Sequence, residues 1–205
     1  MAREKSFKET VMGISFVYRT AMGWLAKSSA SDYLVSEFIR PEPKTTVLDV
    51  GCGVASILQY LGDVEYVGVD HNPNYIAKAQ ETFGDRGAFH VADVSEVSAI
   101  AQKQFDRVLL LGVLHHLTDA QCNELLGECM QLLAPNGALI TFDCALTGDQ
   151  HWIARRLAKA DRGRYARSPD HYERLISPHF GTLKTEVRHD LLRVPYTHFA
   201  IRASR

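Results

Sequence analysis

Five short apolar runs alternate with helix-like segments along the middle of the chain. The runs are TVLDV (46–50), VEYVGVD (64–70), AFHVAD (88–93), FDRVLLLG (105–112) and ALITFD (138–143). Each run is short and apolar on successive positions, which is typical of a strand buried on both faces. Because strands that alternate with helices form βαβ units, the pattern predicts an α/β fold around a largely parallel sheet.

The segments between these runs carry helix signals. Asn72 and Pro73 supply an N-cap and a first helical position, and Gly84 predicts the end of that helix. Thr118 and Gln121 form a capping box for a helix that Pro135 ends. Periodicity and flanking signals predict further helices over 5–26, 30–39, 55–61, 149–160 and 169–177.

Two final strands are predicted at 182–190 and 196–203. They follow one another without a helix, so at least one antiparallel pairing is expected. With 205 residues and 46% hydrophobic content, the chain suits one domain. We expect an N-terminal helical cover over 1–44, a ligand-binding core over 45–145, and further helices with the last two strands over 146–205.

Charge and composition exclude several classes of protein. The formal net charge is −1, whereas a protein that mainly grips nucleic-acid phosphates is usually far more basic. No run of about 18 uncharged apolar residues exists, and charges interrupt any signal-peptide core, so a cytoplasmic location is expected. The four cysteines include no C-x-x-C pair, so neither a disulfide framework nor a zinc site is expected, and Cys122 and Cys129 are predicted core residues.

Acidic residues stand where the first three predicted strands end. Asp49-Val50-Gly51-Cys52-Gly53 closes the first strand with two glycines, which let the backbone approach a ligand. Asp70 closes the second strand, where an acid can accept both hydrogen bonds from a ribose diol, and Asp93 follows the third, where an acid can hold an exocyclic adenine amine. The set predicts a nucleoside ligand at this edge of the sheet.

The segments VLDVGCG, YVGVD, FHVAD, FDRVLLLGVLHHL and LLAPNGALITFD resemble the successive motifs of class I S-adenosylmethionine-dependent methyltransferases. They occur in that family's order over about residues 45–145. GVLHHL, DRGRYARSP and HDLLRVPYTHF further resemble a group of small bacterial methyltransferases. The resemblance implies a Rossmann-like, doubly wound sheet of seven mostly parallel strands with one antiparallel strand and helices on both faces.

The resemblance also assigns the ligand S-adenosylmethionine to particular residues. It implies that the glycine turn holds the methionine part, that Asp70 binds the ribose, and that the backbone near Leu111 and Gly112 lines the methyl-donor side. The remaining implied contacts are Asp49, Gly51, Cys52 and Gly53 in the turn, and His71, Asp93 and Val94 beside the adenine.

One position departs from the family, which commonly reads G-x-G-x-G where this chain has Ala55. We expect Ala55 to begin the first helix with a negative φ, since a positive φ is costly for a residue with a Cβ. The turn also partly resembles a dinucleotide fingerprint, but Ser56 occupies the third glycine of G-x-G-x-x-G. An NAD-linked oxidoreductase is therefore an alternative, and a SAM-binding scaffold without turnover is another.

Two histidines follow the fourth strand where an acceptor would face the methyl group. His115 or His116 could remove a proton from an acceptor hydroxyl; alternatively, one caps the next helix and the other packs. Asp143 at the end of the fifth strand, and His151, are candidate acceptor contacts, although Asp143 could instead cap a helix. Tyr18 lies on the predicted N-terminal helix, which in such enzymes often covers the ligand.

Basic residues concentrate in the C-terminal quarter of the chain. Residues 151–205 hold 12 Lys and Arg against 5 Asp and Glu, a sum of +7, so residues 1–150 sum to −8. This asymmetry predicts an anionic acceptor or merely a solvated basic face. The candidate arginines are Arg155, Arg156, Arg162, Arg164 and Arg167. The sequence thus predicts methyl transfer to a small molecule, preferably at oxygen, with nucleic acid unlikely.

Overall fold

The computed structural model describes residues 28–93, 96–97, 103–160 and 165–205. The predicted helix over 5–26, and with it Tyr18, lies outside these ranges, as do Val94, Arg162 and Arg164. No helix of the described ranges is both long and apolar enough to cross a membrane.

Seven strands form one sheet in the order β3-β2-β1-β4-β5-β7-β6. All neighbours are parallel except β7, which is antiparallel to both β5 and β6. The strands are β1 (Thr46–Val50), β2 (Glu65–Asp70), β3 (Gly87–Val91), β4 (Phe105–Leu111), β5 (Leu133–Cys144), β6 (Thr182–Arg188) and β7 (His198–Ser204). The predicted Rossmann-like sheet with one antiparallel strand is confirmed.

Helices and short turns connect the strands. The α-helices are α1 (Ser28–Leu34), α2 (Pro73–Phe83), α3 (Asp119–Leu132), α4 (Trp152–Ala160) and α5 (Pro169–Ile176). A π-helical turn over Val35–Ile39 extends α1, and 3₁₀ turns cover Ser56–Tyr60, Gly84–Arg86 and Leu114–His116. The Asn72 side chain accepts a hydrogen bond from Asn74 N, and Thr118 and Gln121 form the predicted capping box.

Each face of the sheet packs against its own hydrophobic core. On one face, Leu110 and Leu139 pack with Leu126 of α3 and Ile176 of α5, and Cys122 and Cys129 lie in this core as predicted. On the other face, Val47 and Ile140 pack with Phe38 and Ile39, which follow α1. Because both faces are covered, the central strands read as continuous apolar runs rather than as an alternating pattern.

Several element boundaries differ from the sequence prediction, including those of β5, of the helix after residue 28 and of α4. β5 begins at Leu133 rather than at residue 138, because Leu133 pairs with Phe105 before a register shift restores pairing at Ala138. The predicted helix over 30–39 changes to π-helical geometry after Leu34. α4 begins at Trp152 rather than at residue 149, where the His151 ring accepts a hydrogen bond from Ile153 N.

The prediction for Ala55 is wrong. Ala55 adopts a left-handed conformation with φ 54° and ψ 33°, and a 3₁₀ turn begins after it at Ser56 instead of an α-helix at 55. Its N–H donates to the Cys52 carbonyl at 2.9 Å and its carbonyl accepts the Leu58 N–H at 3.0 Å, so the residue joins two successive turns. The methyl group is fully buried in the core beside α1, and this burial offsets the backbone cost of the positive φ.

Substitutions at Ala55 should separate backbone strain from packing. Ala55→Gly should change the free energy of unfolding by less than about 1 kcal/mol, since relief of left-handed strain offsets the lost methyl and the added freedom of the unfolded chain. Ala55→Val should cost about 2 kcal/mol or more, because a β-branched residue is both strained and overpacked there. Denaturant titration measures the free energy of unfolding of each variant. Equal effects of the two substitutions would contradict a tightly packed, left-handed Ala55.

Candidate active site

Four acidic side chains are buried at the carboxyl edge of the sheet. Asp49, Asp70 and Asp143 lie at or near the ends of β1, β2 and β5, and Asp93 follows β3. Their exposed fractions are only 2% to 4%. Burial of a carboxylate is costly unless hydrogen bonds compensate it, so the partners of these groups define the local structure.

The turn after β1 is fixed by backbone hydrogen bonds to the end of β2. Gly51 N and Cys52 N both donate to the Val69 carbonyl, at 2.8 and 3.0 Å. Gly51 and Gly53 have φ values of 76° and 57°, which glycine adopts without steric cost. The Cys52 side chain packs against β2, where a Cβ added at Gly68 would lie 2.9 Å from its Sγ.

Gly51 also brings the first turn close to the segment after β4. A Cβ at Gly51 would lie 2.9 Å from Val113 Cγ2, so only glycine allows this approach. Gly112, with φ 73°, donates its N–H to the Phe142 carbonyl at 2.8 Å. Leu111 precedes it and packs on the core beside α1. The turn after β1, the segment after β4 and the end of β5 therefore meet at one place.

Asp70 joins two loops through a single carboxylate. Its Oδ2 accepts a hydrogen bond from Gly53 N at 2.9 Å, and its Oδ1 accepts one from Asn72 N at 2.9 Å. His71 Nδ1 lies 3.4 Å from Oδ1. Because each carboxylate oxygen can accept two hydrogen bonds, these contacts leave capacity for a diol.

Asp49 and Asp93 form hydrogen bonds with two residues that were not among the sequence candidates. The Tyr66 hydroxyl donates to Asp49 Oδ2 at 2.6 Å. After β3, Asp93 N donates to Glu96 Oε2 and Glu96 N donates to the Asp93 carbonyl, both at 2.9 Å. A tyrosine on β2 and a glutamate three positions after Asp93 carry no motif that would have distinguished them.

His115 and Asp143 form a buried pair across the ends of β4 and β5. Asp143 Oδ1 lies 2.7 Å from His115 Nδ1 and also accepts the His115 backbone N–H at 3.1 Å. The side chains are 8% and 2% exposed. A carboxylate at Nδ1 favours the tautomer with the proton on Nδ1 and directs Nε2 away from the carboxylate. A Cβ at Gly112 would lie 3.7 Å from His115 Cε1. The imidazole ring therefore lies beside Gly112, where the turn after β1 approaches the segment after β4.

His116 lies in the same 3₁₀ turn. Its ring centroid is 4.0 Å from that of His115, and it is 8% exposed. The following helix is capped by Thr118, so neither histidine supplies the side-chain cap considered from the sequence.

Arg167 holds the histidine turn and does not face an anionic ligand site. Its guanidinium donates to the Leu114 carbonyl at 2.9 Å, to the Leu117 carbonyl at 2.6 Å and to Asp119 Oδ1 at 2.7 and 2.9 Å. Tyr165 N donates to the His115 carbonyl at 3.1 Å. The prediction of an anion-binding role is wrong for Arg167, because its donors are committed to the protein. No local sequence signal predicts these contacts, since the partners lie about 50 positions apart.

The remaining described candidates lie on or before α4. His151 is exposed, and its Nδ1 accepts a hydrogen bond from Ile153 N at 3.2 Å. Arg155 and Arg156 are exposed, and Arg155 Nη1 donates to the Thr147 carbonyl at 3.3 Å. The structure therefore does not bring these side chains into the buried group around His115.

His198, at the start of β7, is a buried histidine that the sequence analysis overlooked. It pairs with Cys144, and its ring stacks on Phe142 at 4.6 Å and lies 4.8 Å from Tyr196. Its Nδ1 is buried without a hydrogen-bond partner in the described part of the chain. Burial, and next the proximity of His115, lower the pKa of His198 to about 3, so the ring is neutral at ordinary pH.

Comparison with known proteins agrees with this arrangement. Residues 47–137 match the family model described as a methyltransferase domain. The chain is 29% identical over 122 residues to "Probable fatty acid methyltransferase" of Mycobacterium tuberculosis, an alignment that covers 55% of this chain and 29% of the relative. The chain spans between 27% and 47% of the length of the curated relatives it matches.

Solved structures share the fold. Human N-acetylserotonin methyltransferase in complex with SAM has a TM-score of 0.70 at 18% identity, over 98% of this chain and 56% of that chain. A TehB-like SAM-dependent methyltransferase from Corynebacterium glutamicum has a TM-score of 0.62 at 17% identity, over 92% of this chain and 95% of that chain.

Residues 47–137 therefore match a methyltransferase domain, and the fold is the one found in solved S-adenosylmethionine-dependent methyltransferases. The domain match, and the S-adenosylmethionine bound in the human structure, favour S-adenosylmethionine over the NAD of the alternative oxidoreductase.

Gly51→Ala should damage the site more than an equivalent change elsewhere. Gly62 has a similar φ of 71° but no atom within 4 Å of an added Cβ, so Gly62→Ala reports backbone strain alone, about 1–2 kcal/mol. Gly51→Ala adds the clash with Val113. Calorimetry with S-adenosylhomocysteine should show affinity lowered about tenfold or more in Gly51→Ala and unchanged in Gly62→Ala. Equal affinities in both variants would contradict the role of the turn.

His198 should make the protein less stable in acid. Between pH 6.5 and about 3 the unfolded chain binds a proton at this residue that the folded chain does not, so stability falls as pH falls through this window. His198→Phe keeps an aromatic ring on Phe142 and should reduce the slope by up to about 1.4 kcal/mol per pH unit. Denaturant titrations across this range, with the exposed His151→Phe as control, measure the difference. Parallel curves for wild type and His198→Phe would refute the assignment.

Proposed function

We propose that this protein transfers a methyl group from S-adenosylmethionine to an oxygen atom of a small-molecule acceptor. The observation that carries the proposal is the buried His115–Asp143 pair beside Gly112. A hydroxyl acceptor must lose a proton during transfer, and an imidazole held by a carboxylate is a suitable base. The acceptor hydroxyl would approach His115 Nε2.

The residues at the carboxyl edge fit the cofactor. The turn that contains Gly51 is a cradle that a Cβ would fill, and Asp70 retains hydrogen-bonding capacity for two ribose hydroxyls. Asp49 and Cys52 would lie near the methionine part, and His71 and Asp93 near the adenine. When bound, S-adenosylmethionine supplies an electrophilic methyl group on a sulfonium.

The protein contributes alignment, desolvation and a proton acceptor. Backbone hydrogen bonds fix the turn after β1 to the end of β2 and the segment after β4 to the end of β5, so the binding surface is formed before ligands arrive. Asp143 acts as a positioning residue, because it holds both the backbone and the ring of His115. Arg167 supports the same turn through the Leu114 and Leu117 carbonyls.

Charge favours a small acceptor over nucleic acid. The net charge of −1 provides little attraction for a polyphosphate, and the sequence after β4 reads Leu-Gly-Val-Leu instead of the Asn- or Asp-Pro-Pro-aromatic motif of amino-group methylation on bases. Curated relatives include proteins named for fatty acid and for alkaloid N-methylation, so oxygen rests on the His115–Asp143 pair alone.

A labelled-methyl screen of small-molecule extracts from the source organism tests the proposal. A methylated hydroxyl compound should accumulate with wild-type protein. His115→Gln should lower kcat about 100-fold or more, and Asp143→Asn should lower it by a smaller factor, with affinity for S-adenosylhomocysteine kept within a few-fold.

The matched controls are His179→Gln and Asp190→Asn, which lie outside the site; Asp190 is exposed and His179 is half-buried. Both should keep full turnover. Full turnover in His115→Gln would eliminate the general-base role. Tight cofactor binding without transfer to any extract component would favour a SAM-binding scaffold.

A further inference from the structure

The outward face of α4 combines an exposed indole with cationic side chains. Trp152 is 69% exposed, the largest exposure among the large hydrophobic residues of the described chain. Arg155, Arg156 and Lys159 are also exposed, whereas Ala154 and Ala158 are buried on the opposite side. At 100° per residue, these four exposed positions occupy one continuous sector of the helix. We call Trp152, Arg155, Arg156 and Lys159 the α4 face.

The cations of the α4 face have no acidic partners within the described ranges. Lys44, Lys78, Lys103 and Lys184 each form an ion pair with an aspartate or glutamate. By contrast, no such pair involves the three cations on α4, and Arg155 donates only to the Thr147 carbonyl. Among the residues that the structure describes, the face therefore presents three positive charges without an acidic partner around one exposed aromatic ring.

We propose that the α4 face binds the surface of an anionic lipid bilayer. Indole rings favour the headgroup region of a membrane, and arginine and lysine beside them are attracted to anionic lipids. The apolar side of α4 already packs on the protein, with Ala158 in a cluster that includes Cys144 and Tyr196. The helix would thus contact the headgroups through its outward side chains without leaving the fold.

The dimensions of the helix favour a membrane over a folded protein partner. A nine-residue helix is about 13 Å long, and one face of it is much smaller than the roughly 800 Å² per partner of a standard protein interface. A bilayer surface needs no complementary pocket. Nucleic acid is less favoured because a single strand usually binds along a basic groove with several stacking aromatic rings, whereas the α4 face offers one ring and three cations on a short helix.

The position of α4 would place the carboxyl edge of the sheet near the bound membrane. α4 follows the carboxyl end of β5, and the Arg155–Thr147 hydrogen bond fixes the start of the helix to this exit from the sheet. Contact through the α4 face would therefore bring the edge that carries Asp143 close to the lipid surface. The inference goes beyond methyl transfer and can be tested without cofactor or acceptor.

Co-sedimentation of the full chain with lipid vesicles tests the proposal. Binding should occur with vesicles of phosphatidylcholine and phosphatidylglycerol, weaken with added salt, and be absent with phosphatidylcholine alone. Each cation contributes about fivefold to partitioning, so the double variant R156E/K159E should bind about 25-fold more weakly or worse. The control K78E/K103E makes the same change of net charge elsewhere and should bind normally.

A second readout reports on the indole itself. In a Trp24→Phe background, emission of Trp152 should shift to shorter wavelength with the anionic vesicles, and Trp152→Ala should weaken sedimentation while Tyr60→Ala does not. The proposal is overturned by equal binding to both vesicle types, or by equal losses in R156E/K159E and K78E/K103E. It is likewise overturned if the α4 variants instead abolish binding to a single-stranded oligonucleotide or self-association in light scattering.

Discussion

Buried carboxylates at the ends of parallel strands shape this molecule. An ionised acid with little exposure must be hydrogen-bonded, and the nearest donors at a strand end are the backbone N–H groups of neighbouring loops. Asp70 thus binds Gly53 N and Asn72 N, and Asp143 binds His115 N. Each acid fixes the loop of an adjacent strand, so the surface that meets ligands is preformed.

The hydrogen bonds of these buried groups also hold the proposed base, His115. Asp143 fixes the backbone of the histidine turn and selects the tautomer of His115 with one oxygen atom. Arg167 also supports this turn by donating to the Leu114 and Leu117 carbonyls, and its guanidinium pairs with Asp119. The proposed base is thereby held by β5 and by the segment before α5, two parts of the chain that are remote in sequence.

Local signals predicted the elements that depend on neighbours along the chain. The five apolar runs, the Asn72–Pro73 helix start and the Thr118–Gln121 capping box all appear in the structure. Acids at strand ends predicted the carboxyl edge, because parallel strands bring their ends together. Ala55 was mispredicted because a local rule against positive φ does not include the burial of its methyl group.

Contacts between remote segments were not predictable from local signals. Nothing in the sequence connects Tyr66 with Asp49 or Arg167 with Leu114, and an arginine in a basic segment suggested a ligand site instead of a buried support. His198 followed the pattern of a strand residue, and only the packing of Phe142 and Tyr196 around it explains its lowered pKa.

A crystal structure of the complex with S-adenosylhomocysteine tests the central claim most directly. The account predicts both ribose hydroxyls on the Asp70 carboxylate, with the homocysteine sulfur directed toward the space between Gly112 and His115. It also predicts that the loops after β1, β4 and β5 keep the hydrogen bonds described above. A nucleoside bound away from Asp70, or a sulfur directed away from His115, would contradict the account.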